Sequence, residues 1–274
     1  MPARMSLAGR VAVVTGAASG IGRAISASLA RRRCRLALAD IDEAGLLETK
    51  RLGSSGELRI TLHPLDVADR AAAAGFPDAV LAAHGRVDLL INNAGVALGG
   101  TFEEVAESDF EWLFEINFWG MVRMTRAFLP HLKRSDDAQI VNLSSVFGLI
   151  APAGQTAYAA SKFAVRGFSN ALMQELAGSS VGVTVVHPGG VATAIADRAR
   201  VPSEANPKEV ADRIARAKRV LTLPPEVAAE TIVNGIERRM KRVLVGRDAK
   251  LIAIIERLAP VSYPAILERL AEKL

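Results

Sequence analysis

The stretch VAVVTGAASGIGRAI, residues 11–25, decides how this chain folds. Its first half, VAVVTG (11–16), is the short apolar, β-branched run of a buried strand, and a helical pattern opens at Arg23-Ala24-Ile25. Between them stand Thr15, Gly16, Ala17, Ala18, Ser19, Gly20, Ile21 and Gly22. Glycines let the backbone take positive φ and come close to a ligand, while a helix that starts just after them aims unpaired N–H groups at an anion. A pyrophosphate suits such a turn. The spacing is G-x-x-x-G-x-G rather than the commoner G-x-G-x-x-G, so the position between a first strand and a first helix carries the reading.

Outward from this unit, apolar runs keep alternating with longer helical patterns. The further strands read RLALAD (35–40), LRITLHPLD (58–66), VDLLINNAG (87–95), QIVNLSS (139–145), VGVTVVHPG (181–189) and RVLVG (242–246). That order predicts a doubly wound, Rossmann-type α/β fold: a mostly parallel sheet of about seven strands with helices on both faces. No repeat or linker divides the 274 residues, so one domain is expected over 1–274, with a substrate-side lid at 192–225 and an amphipathic extension at 247–274. In such a sheet ligands lie beyond the carboxyl ends of the strands. Those ends carry TGAASGIG, AD, LDV, NNAG, NLSS and HPGG, so glycines and polar residues gather along one edge.

Composition narrows the function classes. The formal charge is +5, but acidic and basic residues interleave and no basic stripe is interspersed with aromatics, which argues against nucleic-acid binding. One cysteine, Cys34, rules out an intramolecular disulfide, and the four histidines (His63, His84, His131, His187) have no metal-ligand spacing, so no metal site is expected. The amino-terminal residues lack a signal peptide's apolar core, and no apolar run reaches the roughly 18 residues of a membrane span. A soluble, cytoplasmic protein is expected.

The second strand ends at Asp40, eighteen residues after Gly22 and near the offset of about 20 expected for an acid that holds the adenosine ribose of a dinucleotide. A carboxylate accepts bonds from ribose hydroxyls and repels a 2′-phosphate, which favours NAD over NADP. Two features point elsewhere. Asp40 could simply cap a helix beginning at Ile41 or Asp42, and Arg23 or Arg35 could receive a 2′-phosphate.

With TGAASGIG, NNAG and Tyr158-Ala-Ala-Ser-Lys162 in this order, the chain resembles the short-chain dehydrogenase/reductase family, in its compact single-domain branch, from about Leu7 to Gly246. The resemblance implies that Thr15, Gly16, Ser19, Gly20, Ile21 and Gly22 form the cofactor turn and that Asp66 and Val67 contact the adenine. It implies that Asn93, Ala94 and Gly95 support the central sheet and pass near the cofactor ribose. Pro188, Gly189, Val191 and Thr193 would shape the nicotinamide end.

Tyr158 and Lys162 stand four residues apart, on one helix face. A tyrosine ordinarily titrates near about 10, and a neighbouring ammonium is expected to lower that value, which suits Tyr158 as general acid/base for an alcohol or carbonyl oxygen. Lys162 is expected to do this and also to hold ribose hydroxyls. A hydroxyl must steady the substrate oxygen as charge develops. The family resemblance gives that role to Ser145 rather than Ser144, which is expected to bond backbone at the strand end, and implies that Asn117 binds a relay water as the fourth catalytic residue.

Val96, Leu98, Val146, Phe147, Leu149, Ile150 and Val191 make the expected mouth apolar, although core or lid packing explains them as well. The lid's Arg198, Arg200, Lys208, Arg213, Arg216, Lys218 and Arg219 interleave with Asp197, Glu204, Glu209 and Asp212, as on a solvated face. Leu251, Ile254, Ile255 and Leu258, then Ile266, Leu267, Leu270 and Leu274, form stripes that need a partner: the domain's own core, a second subunit of a homo-oligomer, or a membrane, in that order. The leading reading is an NAD(H)-dependent oxidoreductase acting on a hydrophobic secondary alcohol or its ketone. A non-catalytic cofactor-binding sensor and an epimerase or dehydratase on the same fold are the alternatives.

Overall fold

The computed structural model describes residues 4–53, 58–202 and 207–271. Among the described residues seven strands form one wholly parallel sheet: β1 (Val11–Thr15), β2 (Arg35–Asp40), β3 (Ile60–Pro64), β4 (Leu89–Asn92), β5 (Ala138–Leu143), β6 (Val181–Pro188) and β7 (Arg242–Val245). Their spatial order is β3-β2-β1-β4-β5-β6-β7. The chain therefore winds outward from β1 in one direction, returns to the middle at β4, and winds outward in the other. The crevice where the order reverses lies between β1 and β4.

Every residue of β1, β4 and β5 is buried, because helices cover both faces. Alternation along β1 sends Ala12 and Val14 to one core, shared with Ile25 and Leu29 of α1 (Gly20–Arg31) and Ile232 and Val233 of α8 (Pro225–Glu237). Val11 and Val13 face the other core. There they join Phe76 of α3 (Arg70–His84), Phe128 of α5 (Met121–Leu132) and Leu172 of α6 (Thr156–Glu175). The remaining helices are α2 (Glu43–Gly53), α4 (Glu107–Phe114), α7 (Pro207–Val220), α9 (Arg247–Leu258) and α10 (Tyr263–Ala271). A π-helical turn, Glu115–Gly120, joins α4 to α5, and a 3₁₀ turn, Val146–Gly148, follows β5.

The strands are shorter than the sequence predicts at their carboxyl ends. β4 stops at Asn92, where Asn93 N turns to Thr15 Oγ1, and β5 at Leu143, beyond which one bond, Ser144 N to Val186 O, precedes the turn in which Phe147 N bonds Ser145 Oγ. At the opposite edge the fully buried Asp88 accepts from Val11 N (2.9 Å) and Ser135 Oγ (2.7 Å) and pairs with Arg10 and Arg86. That edge is closed by structural bonds.

Residues 203–206 of the expected lid, with Glu204, and residues 272–274 of the expected extension, with Leu274, lie outside the described residues. The stripe expected on α9 does not pack inward as one face. Ala249 and Ala253 are buried, whereas Leu251 (52% exposed), Ile254 (56%) and Leu258 (79%) face outward. Small alanines let the helix sit close to the body of the protein, and the larger residues take the other side. Among the described residues no helix is long and apolar enough to cross a membrane, and no cluster of His, Cys, Asp or Glu has the makings of a metal site.

Candidate active site

The glycine turn is built against the end of β4. Thr15 Oγ1 accepts from Asn93 N and Ala94 N, both at 3.1 Å, and donates to Ile91 O. In return Asn93 Nδ2 donates to the carbonyls of Thr15 and Gly16, each at 3.0 Å. Gly16 has φ +64°, and a methyl group there would lie 2.8 Å from Ala94 Cα. At Gly22 a methyl would overlap the Gly16 carbonyl, so this close approach needs glycine at both positions. Ser19 caps α1 in extended backbone with its hydroxyl unused by the cap, and no acidic residue stands in the first turn beside Gly20 and Ile21. The helix end keeps its positive partial charge for an anion.

Asp40 is half-buried at the end of β2. Its Oδ2 accepts from Ala18 N (2.9 Å) in the glycine turn and its Oδ1 from Asp42 N (3.1 Å). The cap of α2 is Asp42, whose Oδ1 accepts from Gly45 N, so capping is not what Asp40 does. Arg23 is drawn beneath the turn, donating to Ala18 O, Gly45 O and Thr49 Oγ1. Arg35 starts β2, at the far edge of the sheet, and donates to Gly9 O and His84 O. Both guanidiniums are thus committed to the scaffold. Asp66 is exposed beyond β3, and the buried Val67 packs on Gly120, where a methyl would meet its side chain at 2.7 Å.

The catalytic candidates converge at Gly95. A methyl there would lie 3.1 Å from Asn117 Oδ1 and 3.5 Å from Lys162 Nζ. Asn117 sits in the π-helical turn, not in regular α-helix, and clasps the backbone of Val96: Oδ1 accepts from its N–H (2.8 Å) and Nδ2 donates to its carbonyl (3.0 Å). Lys162, 5% exposed, donates to Leu143 O (3.2 Å), and its Nζ lies 5.5 Å from the centre of the Tyr158 ring. Ser145 lies at the end of β5 with its hydroxyl beside the Tyr158 phenol, and Ser144 Oγ donates to Lys162 O (2.8 Å). Ser144 does bond backbone, but of α6 rather than of the strand end.

The sequence predicts a Tyr158 pKa lowered by the neighbouring ammonium; in the structure the shift runs the other way. Tyr158 is half-buried, and burial pushes its phenol up to about 12, opposed only by the neighbouring Ser145 hydroxyl. Burial also pushes Lys162 down to about 8. Desolvation acts against both charged forms and outweighs their mutual attraction.

At the end of β6, Pro188 is the last ladder residue, and Gly190 N donates to Asp248 Oδ2 (2.7 Å) at the start of α9. Asp248 also crowds Gly189, where no side chain would fit. Val191 is buried in a bridge to Leu223, and Thr193 Cγ2 lies 3.1 Å from where a methyl on Gly20 would be, so the lid begins beside the glycine turn. Three of the lid's cations are paired: Arg200 with Asp109 and over the Trp112 ring (3.8 Å), Arg213 with Glu104, and Lys218 with Asp197. Of the apolar mouth residues, Leu98, Val146, Leu149, Ile150 and Val191 are buried and belong to the packing. Val96 and Phe147 are half-buried, and Phe147 meets the Tyr158 ring edge-on at 6.1 Å. Two contacts had no signal in the sequence: Asp248 on the Gly189-Gly190 turn, and Tyr263 of α10, whose hydroxyl accepts from Ala151 N (3.1 Å).

A Rossmann-type sheet with a glycine turn after β1 and a serine, a tyrosine and a lysine beyond β5 at the same edge defines a nucleotide-dependent oxidoreductase class. Residues 10–203 match the family model described as short chain dehydrogenase, and the chain belongs to that family, the short-chain dehydrogenases/reductases. A Mycobacterium tuberculosis protein named as an oxidoreductase, SadH, is 46% identical over 260 residues, 94% of each chain. The structure of a Burkholderia phymatum short-chain dehydrogenase/reductase in complex with NAD has a TM-score of 0.85 at 32% identity, covering 92% of this chain and 94% of that one. A serine dehydrogenase complexed with NADP+ has a TM-score of 0.71 at 30% identity, covering 81% and 87%.

The Thr15 hydroxyl is 1% exposed and serves two backbone donors. Thr15→Val keeps the shape and strands the Ala94 N–H, which should cost about 1–3 kcal/mol in urea unfolding. An unchanged midpoint would show that the tie is dispensable.

Proposed function

We propose that the protein is an NAD(H)-dependent dehydrogenase/reductase that interconverts a hydrophobic secondary alcohol and its ketone, with Ser145, Tyr158, Lys162 and Asn117 as the catalytic group. The observation that carries this reading is the meeting of Asn117 Oδ1 and Lys162 Nζ at Gly95, with Tyr158 neighbouring both Lys162 and Ser145. The glycine cradle fits a dinucleotide, because methyls at Gly16 and Gly22 would fill it and the α1 end offers free N–H groups. Thr15, Gly16, Ser19, Gly20, Ile21 and Gly22 would hold the pyrophosphate, Asp40 the adenosine ribose, and Asp66 with Val67 the adenine. Asn93, Ala94, Gly95, Tyr158 and Lys162 would hold the second ribose, and Pro188, Gly189, Val191 and Thr193 the nicotinamide end.

When bound, the nicotinamide supplies the hydride acceptor or donor and, when oxidised, a positive charge that favours the Tyr158 phenolate. Ser145 Oγ donates to the substrate oxygen and holds it against Tyr158. Tyr158 Oη gives its proton to that oxygen as a carbonyl is reduced, or takes the hydroxyl proton as an alcohol is oxidised. Lys162, pushed down only to about 8, keeps its charge at neutral pH and steadies the phenolate. Asn117 holds the Val96 backbone that flanks the site and leaves the Lys162 ammonium within reach of a relay water.

NAD is favoured over NADP because Asp40 stands at the ribose position while Arg23 and Arg35 are bonded to backbone elsewhere. An apolar substrate is favoured because the half-buried Phe147 meets the Tyr158 ring, Val96 stands beside Asn117, and three of the lid cations, Arg200, Arg213 and Lys218, are paired with acids. Residues 1–274 act as one domain, with 192–225 over the substrate side. Cys34 is fully buried and pushed up to about 12, so it resists oxidation and needs no special compartment; a cytoplasmic location fits.

Three measurements test this reading. Tyr158→Phe should bind NAD about as well as the parent and lose at least about 10³-fold in kcat, since it removes the proton and little else; retained turnover in a nicotinamide absorbance assay with secondary alcohols would sink the mechanism. Asp40→Ala should lower the ratio of kcat/KM with NAD to that with NADP by more than about tenfold, and a constant ratio would overturn the cofactor preference. The outward stripe of α9 is offered as a subunit contact of a homo-oligomer. Ile254→Glu with Leu258→Glu should then reduce the mass measured by light scattering, whereas an unchanged mass excludes that role.

A further inference from the structure

The last register pair of β5 and β6 is Leu143 with Val186, and Ser144 N donates to Val186 O at 2.9 Å. In a parallel ladder the next bond would come from the N–H of residue 188. Residue 188 is proline and has none. The sheet therefore stops holding β5 one residue before Ser145. The side chain of His187 takes over there, fully buried, with Nδ1 2.8 Å from the Ser145 carbonyl oxygen.

A carbonyl only accepts, so Nδ1 carries the proton. Burial, joined by the charges of Arg166 and Arg242, pushes His187 down to about 4, so the ring is neutral and its Nε2 is unprotonated. That Nε2 is buried without a hydrogen-bond partner, a cost that an aliphatic side chain at the same place would avoid. The imidazole is therefore placed for its one bond. At the other end of the same turn Arg166 Nη1 donates to Gly148 O (3.1 Å), and between the two anchors the Ser145 hydroxyl accepts from Phe147 N and stands beside the Tyr158 phenol.

We propose that His187 is a positioning residue for the reaction: its Nδ1–H fixes the Ser145 carbonyl where the β5–β6 ladder ends, and so aims the Ser145 hydroxyl at Tyr158. This rests on the proposed roles of Ser145 and Tyr158. The histidine touches neither substrate nor cofactor. It does for Ser145 what a ladder bond does for the residues before it.

The chain has two tyrosines, Tyr158 and Tyr263, so carbon-13 labelling at tyrosine Cζ gives two resonances, and Tyr158→Phe assigns them. Measured with and without NAD, His187→Leu should move the Tyr158 resonance in the same direction as Ser145→Ala does and leave Tyr263 in place. His187→Asn, whose amide can donate to the same carbonyl, should move it back toward the parent position. In the absorbance assay His187→Leu should lower kcat roughly 10- to 100-fold with the NAD dissociation constant within about twofold, as expected when a reacting group is misplaced. The proposal is overturned if His187→Leu leaves the Tyr158 resonance where it was, or if His187→Asn behaves as His187→Leu does, which marks a packing role. Turnover retained by Tyr158→Phe would instead overturn the functional reading, and the resonances would still decide what His187 does.

Discussion

The carboxyl edge of the sheet depends on the tie between Thr15 and Asn93. Parallel strands bond one another only while they run side by side, and β1 and β4 part company at the switch point, where a ligand crevice has to open. Backbone groups beyond the last pair then need partners from elsewhere. The Thr15 hydroxyl takes the N–H groups of Asn93 and Ala94, and the Asn93 amide takes the carbonyls of Thr15 and Gly16. Two short side chains thus replace the ladder where it must end. Because they pull the β4 end hard against the turn, Gly16 and Gly22 have no room for a Cβ, and the α1 end comes to rest at the crevice.

The other half of the site repeats the device with different chemistry. Beyond β5 the chain is held by the Ser144 hydroxyl on Lys162 O, by His187 on Ser145 O and by Arg166 on Gly148 O. Ser144 and Ser145 are adjacent but point to different work, one fastening the strand end to α6, the other facing the phenol. Asn117 joins the halves, since it clasps Val96 just after the β4 end and its Nδ2 also reaches Ser161 on α6 at 3.3 Å. Its place in a π-helical turn, where the helical bonding is already interrupted, gives an asparagine a position that regular helix disfavours.

The sequence discloses these features unevenly, for physical reasons. Strand order and the gathering of polar ends at one edge are legible because buried parallel strands are written as continuous apolar runs. Where those runs stop is not, since NNAG and NLSS read as strand until their side chains are seen to replace the ladder. Arg23 looked able to meet a phosphate until the fold turned it under the glycine turn, and Arg35 until β2 carried it to the far edge. The amphipathic period of α9 is present, but its inward face is the alanines, because a helix laid close on the body needs small residues more than apolar ones. Asp248 and Tyr263 reach the site from more than fifty residues away in sequence, through contacts that no spacing rule encodes.

The reversal of the Tyr158 shift follows from the same closeness of packing. An ammonium lowers a phenol's pKa only by the attraction between the two charged forms, and at 5.5 Å from the ring that attraction is smaller than the cost of removing each charge from water. Tyr158 at about 12 and Lys162 at about 8 therefore rest as phenol and ammonium at neutral pH. A phenol held in that form gives up a proton to a developing alkoxide more readily than it takes one from an alcohol. In the proposed reaction the oxidative direction would then draw on a third charge to form the phenolate, and an oxidised nicotinamide, held by the residues at the end of β6, would supply it. On the proposed reading the glycine turn and the tyrosine act together: the first would anchor the pyrophosphate of the cofactor that carries the charge, and the second would move the proton when that charge arrives.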